Sequence, residues 1–379
     1  MELQNEILRA SNKKNKIQLG AIQLAPQLIP TQTLRRSFQR ALKHSSPEDF
    51  LYNDNQGHIK LRQTLSDHYA EDGIYIAKES IFITSGCMPA LSTIIQVLTQ
   101  VGDSIIVPMP NYNGQQLLLA NLERKIVEVP ASYNGIDLYR LEQTIESSGA
   151  KVCLLTANFQ NPLGFCLTNE EKSLIAKLAA KYKCFIIEDD IYAECGYDLQ
   201  RPLPIQYWDK EGYIFLCSSI SKSLSPAYRI GWFFLPHQQD HLRAKFLSRL
   251  DIVSTPLQLG LADFINSRSY RAHLNRLRPI LMEQVAEYRL FIIKVFEDLE
   301  IKLTQPQGGY SLWIQLEQKI DSLSIYQFAK KQGINIVPGD VFGEDRKYSN
   351  FIRINLGYPL DPQISKGIIA LKNFIRNNY

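Results

Sequence analysis

A lysine set among hydroxyls, with an arginine close behind it, is the most chemically suggestive feature of this chain. In the stretch Ile214 to Leu235, IFLCSSISKSLSPAYRIGWFFL, the residues Ser219, Ser221, Lys222 and Arg229 lie between two apolar runs. Those runs, Ile214 to Cys217 and Arg229 to Leu235, have the character of buried strands, so the polar group emerges at strand ends. An amine held where hydroxyls and a guanidinium can grip an anion suits a phosphate-bearing carbonyl compound bonded to the lysine as a Schiff base. The same residues also describe an ordinary solvated loop. Other parts of the chain have to complete such a site.

Several polar residues do fall at the carboxyl ends of other apolar runs. Ser85, Gly86 and Cys87 follow Ile81 to Thr84 and open a helix, whose backbone N–H groups and dipole favour an anion, unless they only turn the chain. Tyr112, in a loop after Ile105 to Val107, offers a flat face to a ring or simply packs. Asn161-Pro162-Leu163-Gly164 is a turn that presents the Asn161 amide. Glu188-Asp189-Asp190 ends the run that begins at Phe185, and a buried carboxylate there needs a partner. A protonated pyridine nitrogen, an internal ion pair or a bound metal would each serve, and Tyr192 is near enough in sequence to donate to a ring oxygen. Arg353, flanked by apolar residues in Phe351-Ile352-Arg353-Ile354-Asn355, suits a carboxylate, from a ligand or from the chain itself.

The elements that must position these residues follow from the hydrophobic pattern. Residues 1–16 have the composition of a polar helix or arm; Ile17 to Ile22 has that of a short strand, and Thr31 to Leu42 and Ile59 to Tyr69 have helical spacing. From Ile81 onward short apolar strands alternate with helices: Ile81 to Thr84, Ile105 to Val107, Ile126 to Val129, Val152 to Thr156 and Phe185 to Ile187. Thr168-Asn169-Glu170-Glu171 has the form of a capping box. The strands are apolar on both faces, as in a mostly parallel sheet covered by helices on each side. Past about Tyr270 the pattern predicts a long helix broken or bent near Pro279, then a smaller α+β domain. In an open α/β sheet, ligands bind outside the carboxyl ends of the strands. The expected fold therefore gathers the polar residues at one edge.

Composition narrows the field. The 379 residues are 45% hydrophobic and 21% charged, an ordinary globular balance, and the formal charge of +4 comes without a dense basic block that would suit nucleic acid. The six cysteines show no CxxC spacing, so neither a disulfide framework nor a metal site is expected. No run has the length of a signal peptide or a membrane span, which predicts a soluble cytoplasmic protein without a membrane partner.

Taken in order and spacing, NFQNPLG (158–164), IIEDDIY (186–192), SSISKSLSPAYRIGW (218–232), PQGGYSLWIQL (306–316) and FIRINLG (351–357) resemble the fold-type I, pyridoxal-5′-phosphate-dependent aminotransferases of class I/II. The resemblance is greatest to the aminotransferase-like domain of MocR-type regulators of the GntR superfamily and their stand-alone relatives. It implies an aspartate aminotransferase-like large domain, with a seven-stranded type of mostly parallel sheet, over 46–275. It also implies a small C-terminal domain over 276–379, and an arm with part of the small domain over 1–45. It implies that Lys222 carries the Schiff base, that Ser219, Ser221, Arg229 and the Ser85-Gly86-Cys87 turn hold the phosphate, and that Tyr112 stacks on the pyridine. Asp189 is then expected to pair with the ring nitrogen, Asn161 and Tyr192 to bind the ring hydroxyl, and Arg353 to hold the α-carboxylate. Gly309 and Tyr310 are expected near the substrate. Tyr52 matches a loop tyrosine that reaches the phosphate of the neighbouring subunit, which implies a homodimer. The implied reaction moves an amino group between an amino acid and a 2-oxo acid. The alternative is an effector-sensing domain with little turnover. Only about sixteen residues precede the catalytic-like region, so no DNA-binding domain is expected in this chain, and Met88-Pro89 departs from the polar residues often found after the phosphate turn.

Overall fold

The computed structural model describes residues 3, 6, 7, 17–52 and 54–379. Most of the expected arm over 1–16 lies outside the described residues. The central sheet is built from β1 (Ile81–Thr84), β2 (Ser104–Met109), β3 (Lys125–Ser132), β4 (Gly135–Ile136), β5 (Val152–Leu155), β6 (Phe185–Asp189), β7 (Ile214–Ser219) and β8 (Gly231–Phe234). Their order across the sheet is β1-β8-β7-β6-β5-β2-β3-β4. The neighbours from β3 through β7 run parallel, while β8 is antiparallel to both β7 and β1. The expected seven-stranded sheet thus gains an eighth strand, the two-residue β4, which closes a hairpin with β3 at residues 132–135. No long apolar run marks so short a strand.

The period of two along each strand explains why both faces are apolar. On β5, Cys153 and Leu155 pack on one side with Leu141 and Ile145 of helix α5 (Leu138–Ser148) and with Ile175 and Leu178 of helix α6 (Asn169–Tyr182). Val152 and Leu154 pack on the other with Ala90, Leu91, Ile94 and Ile95 of helix α3 (Cys87–Leu98). Burying each such side chain contributes about 1.5–3 kcal/mol. In chain order the helices used below are α1 (Thr31–Lys43), α2 (Ile59–Ala70), α3 (Cys87–Leu98), α4 (Asn113–Asn121), α5 (Leu138–Ser148), α6 (Asn169–Tyr182), α7 (Thr255–Asn266), α8 (Ser269–Val295), α9 (Ser322–Lys331) and α10 (Pro362–Asn378). Helix α6 opens with the expected reciprocal cap: the Thr168 N–H donates to Glu171 Oε2 at 2.7 Å and the Glu171 N–H to Thr168 Oγ1 at 3.2 Å. Helix α8, expected to break or bend near Pro279, runs through it without a break.

The second sheet has the order β9-β10-β12-β11, from β9 (Lys302–Leu303), β10 (Ser311–Gln315), β11 (Val337–Pro338) and β12 (Phe351–Asn355), all antiparallel. The N-terminal segment joins this side of the molecule. Only Ile17–Gln18 of the expected Ile17 to Ile22 strand forms a strand, paired in parallel with Ile334–Asn335. Beyond it, the Asn355 N–H donates to the Leu19 carbonyl at 2.7 Å, which fixes the segment before residues 20–22 on this sheet. No described helix is long and apolar enough to cross a membrane.

Candidate active site

The ends of β6 and β7, the start of α3, the approach to α4, the loop after β5 and the strand β12 converge on one cleft of about 260 Å³. Cys87, Tyr112, Asn161, Asp189, Tyr192, Ser221, Lys222, Arg229 and Arg353 all line it. Cys87 and Arg353, more than 250 positions apart in the chain, meet in it across the two sheets.

Asp189 terminates β6 and is buried. Its Oδ2 accepts from Gln115 Nε2 at 2.6 Å, and its Oδ1 from Cys87 Sγ at 3.4 Å and the Ile191 N–H at 3.3 Å. All three donors are neutral. Burial pushes this carboxyl up to about 6, although the donors pull the other way. Gln115 had no place in the sequence reading. It lies on the first turn of α4 and is 1% exposed, and a polar side chain so buried must have a partner.

Lys222 lies in the turn beyond β7 and is half-buried. Its Nζ donates to the Ile22 carbonyl at 2.7 Å and sits 5.8 Å from the centre of the Tyr192 ring. Burial, and then the nearby charge of Arg353, lower its pKa to about 8. Arg353, on β12, is buried; it donates to the Gly20 carbonyl and, at 3.5 Å, to Asn161 Oδ1. Its Nε is buried without a hydrogen-bond partner, and burial lowers its pKa to about 10. No acidic side chain pairs with either cation among the described residues. Backbone carbonyls of the segment 20–22 hold both instead. Nothing in the side-chain pattern of Gly20-Ala21-Ile22 announces that role, because carbonyls have no sequence signature.

The phosphate-type corner is set by close packing. Gly86 has φ +107°, and a Cβ there would lie 2.9 Å from Arg229 Nη2; a Cβ on Gly231, which pairs with Thr84, would lie 2.5 Å from the Gly86 carbonyl carbon. Both glycines therefore let β8 and the start of α3 approach closely. No acidic residue lies in the first turn of α3, and no side chain caps it. Arg229, exposed, donates to the Ser85 carbonyl at 2.9 Å, and Ser219 Oγ accepts the Ser221 N–H at 3.2 Å. Ser85, Gly86 and Ser219 border this corner without lining the cleft. Tyr192 is buried and meets Tyr310 edge-on at 6.3 Å. Tyr310 is itself fully buried, and its hydroxyl donates to the Lys222 carbonyl at 3.0 Å. Trp313 stacks on Phe351 at 5.0 Å inside the small sheet. Tyr52 is 98% exposed and does not line the cleft of its own chain.

A family model described as aminotransferase class I and II matches residues 14–362. An uncharacterized HTH-type transcriptional regulator of Escherichia coli K12, YdcR, is 34% identical over 98% of this chain and 79% of its own length. Aromatic-amino-acid aminotransferase 1 of Thermococcus litoralis is 28% identical over 98% of this chain and 90% of its own. Among solved structures, the kynurenine aminotransferase of Pyrococcus horikoshii superposes with a TM-score of 0.87 at 24% identity, over all of this chain and 94% of the other.

Proposed function

The chain belongs to the class I and II aminotransferases and, like them, transfers amino groups with pyridoxal 5′-phosphate; on that premise we propose which of its residues do the work. The cleft suits that cofactor in its donor set. It has an amine of lowered pKa, a buried carboxylate with only neutral partners, and a helix start beside an arginine. Lys222 would bond to the carbonyl carbon. The backbone amides at the start of α3, with Ser221 and Arg229, would hold the phosphate, supported by Ser85, Gly86 and Ser219. Tyr112 would face the ring, Asp189 its nitrogen, and Asn161 and Tyr192 its hydroxyl. When bound, the cofactor supplies an electron sink for the pair released at the substrate's α-carbon.

The remaining work falls to the protein. Arg353, with a free buried Nε, holds the α-carboxylate of the amino acid and so orients its α-carbon. Lys222 Nζ takes the α-proton and returns it; an amine whose pKa is about 8 is partly neutral at working pH, as a base requires. Asp189, as an anion, keeps a proton on the nitrogen opposite it. The observation that carries this reading is that Lys222 and Asp189 line one cleft, the amine pushed down and the carboxyl pushed up by burial. Purified protein given an amino acid and a 2-oxo acid should produce the complementary pair continuously, and Lys222→Ala should lower that rate by about 10⁴-fold. Equal activity in Lys222→Ala would end the proposal. Sustained turnover would also set aside the second reading, an effector sensor, which the similarity to YdcR favours.

We further propose a homodimer in which Tyr52 completes the partner's site. Support comes from its exposure beside Phe50 and Leu51, which are 59% and 70% exposed. A monomer by sedimentation would refute this. The six free cysteines support a reducing, cytoplasmic setting.

A further inference from the structure

The turn that carries Lys222 lies outside the sheet ladder, since β7 ends at Ser219. Its local bonds run from the Leu224 and Ser225 N–H groups to the Ile220 carbonyl, at 2.9 and 3.1 Å. The carbonyls of Lys222 and Ser223 themselves are met by side chains from distant elements. Tyr310, just before β10, donates to the Lys222 carbonyl at 3.0 Å. His273, on α8, meets the Ser223 carbonyl through Nε2 at 2.7 Å. Tyr270, one turn earlier on the same face of α8, shares a 2.6 Å hydrogen bond with Ser223 Oγ.

A carbonyl can only accept, so His273 Nε2 carries the proton and Nδ1 is the bare nitrogen, which is buried without a partner. All three side chains are at most 2% exposed. An apolar ring would fill each position without the cost of burying a polar atom, and one imidazole nitrogen remains unsatisfied here. Two of them hold backbone carbonyls of the turn on which Lys222 sits, and Tyr270 holds the Ser223 side chain in the same turn. Tyr310 also leads directly into the strand whose Trp313 pairs with Arg353, so the same arm reaches the lysine turn and the carboxylate cation.

We propose that Tyr310, His273 and Tyr270 are positioning residues that immobilise the backbone of Lys222, so that Nζ alone moves as it alternates between bonding and proton transfer. This rests on the reading that Lys222 bonds the cofactor. A base displaced by about 1 Å loses on the order of 10²-fold in rate, and a single lost clamp should cost about 10-fold. The test compares His273→Phe, His273→Gln, Tyr270→Phe and Tyr310→Phe. One readout is the single-turnover half-reaction with amino acid alone. The other is the pH profile for acylation of Lys222 by an activated ester in cofactor-free protein, located by peptide mass. His273→Phe and Tyr310→Phe should slow the half-reaction about 10-fold, leave KM within about twofold, and shift the acylation profile. Tyr270→Phe should do the same more weakly. His273→Gln, which keeps an N–H donor, should recover most of the loss. Tyr310→Phe removes only a hydroxyl, so it guards against a variant that merely fails to fold. Wild-type half-reaction rates and acylation profiles in folded His273→Phe and Tyr310→Phe would overturn the proposal. Borohydride reduction tests the underlying reading separately: if wild-type protein carries no cofactor mass on its Lys222 peptide, that reading fails and this one falls with it.

Discussion

Asp189 and Asp190 are neighbours in the chain, both buried, and they meet opposite surroundings. Asp189 faces the cleft and receives only neutral donors, Gln115, Cys87 and the Ile191 N–H. Asp190 faces away, bonded to Arg201 and, at 2.7 Å, to Asn158. Arg201 then approaches Glu194 at 3.8 Å, and Glu194 also meets His68 and Arg278, each at 3.1 Å. His68, Asp72 and Glu194 come close enough to hold a metal ion, but Arg201, Arg278 and Arg271 already neutralise the carboxylates there. A buried anion next to a cation is structural. A buried anion lined only by neutral donors is poised for a cation that arrives with a ligand.

The comparison breaks most sharply on paired substitutions. Asp190→Asn leaves Arg201 buried beside a neutral amide, which should destabilise the protein by about 3–5 kcal/mol in chemical denaturation. Asp189→Asn removes a carboxylate of the same size from the same strand end, yet it abolishes a charge that has no cation in the cofactor-free protein. Its cofactor-free melting temperature should stay level or rise, while kcat falls by about 10²–10³-fold because the ring nitrogen loses its anionic partner. If the two variants lose stability equally, the distinction drawn here is wrong.

A second test uses pH. The folded-state pKa of Asp189 is raised to about 6 from an ordinary value of 3.8, so the native state binds more protons than the unfolded one between those values. Its contribution to stability is greatest below about pH 4 and is lost as pH rises through about 6. A cationic ring nitrogen offsets that loss. The melting-temperature gain from pyridoxal 5′-phosphate should therefore be larger at about pH 7.5 than at about pH 5. Asp189→Asn, titrated in parallel, should lack this step; a step of equal size in the variant would assign it to another group.

Much of this contrast was legible in the sequence, though not its direction. The apolar runs located β1 to β3 and β5 to β8 because a covered sheet needs apolar faces, and polar residues past their ends marked Asp189, Asn161 and Lys222. Three consecutive acids, however, do not say which points into the cleft. That depends on the strand's register against Leu216 and Cys217, and on Arg201, which lies in a loop with no periodic signal. Helices α5 and α7 were not among the expected elements. The carbonyl contacts of Gly20 and Ile22 were illegible in principle. Tyr270 and His273 share the buried face of α8 with Arg278 and Gln284, and the groups that each of them meets are set by the fold.

The smallest effect concerns Cys87, which donates to Asp189 through sulfur at 3.4 Å while burial holds its own thiol protonated. A thiol is a weak donor and a hydroxyl a stronger one. Cys87→Ser should therefore stabilise the Asp189 anion relative to its acid, and lower the pH midpoint of the cofactor-dependent melting shift by about half a unit. Cys87→Ala, with no donor, should raise it by a similar amount. Because Cys87 is also the first residue of α3, both variants keep the backbone amides that face the phosphate, so cofactor affinity at high pH should change little. Midpoints that move together in the two variants would mean that Cys87 acts on Asp189 by packing alone. Opposite shifts would show that the neutral donors around Asp189 tune how strongly it attracts the incoming cation, which is what separates it from Asp190.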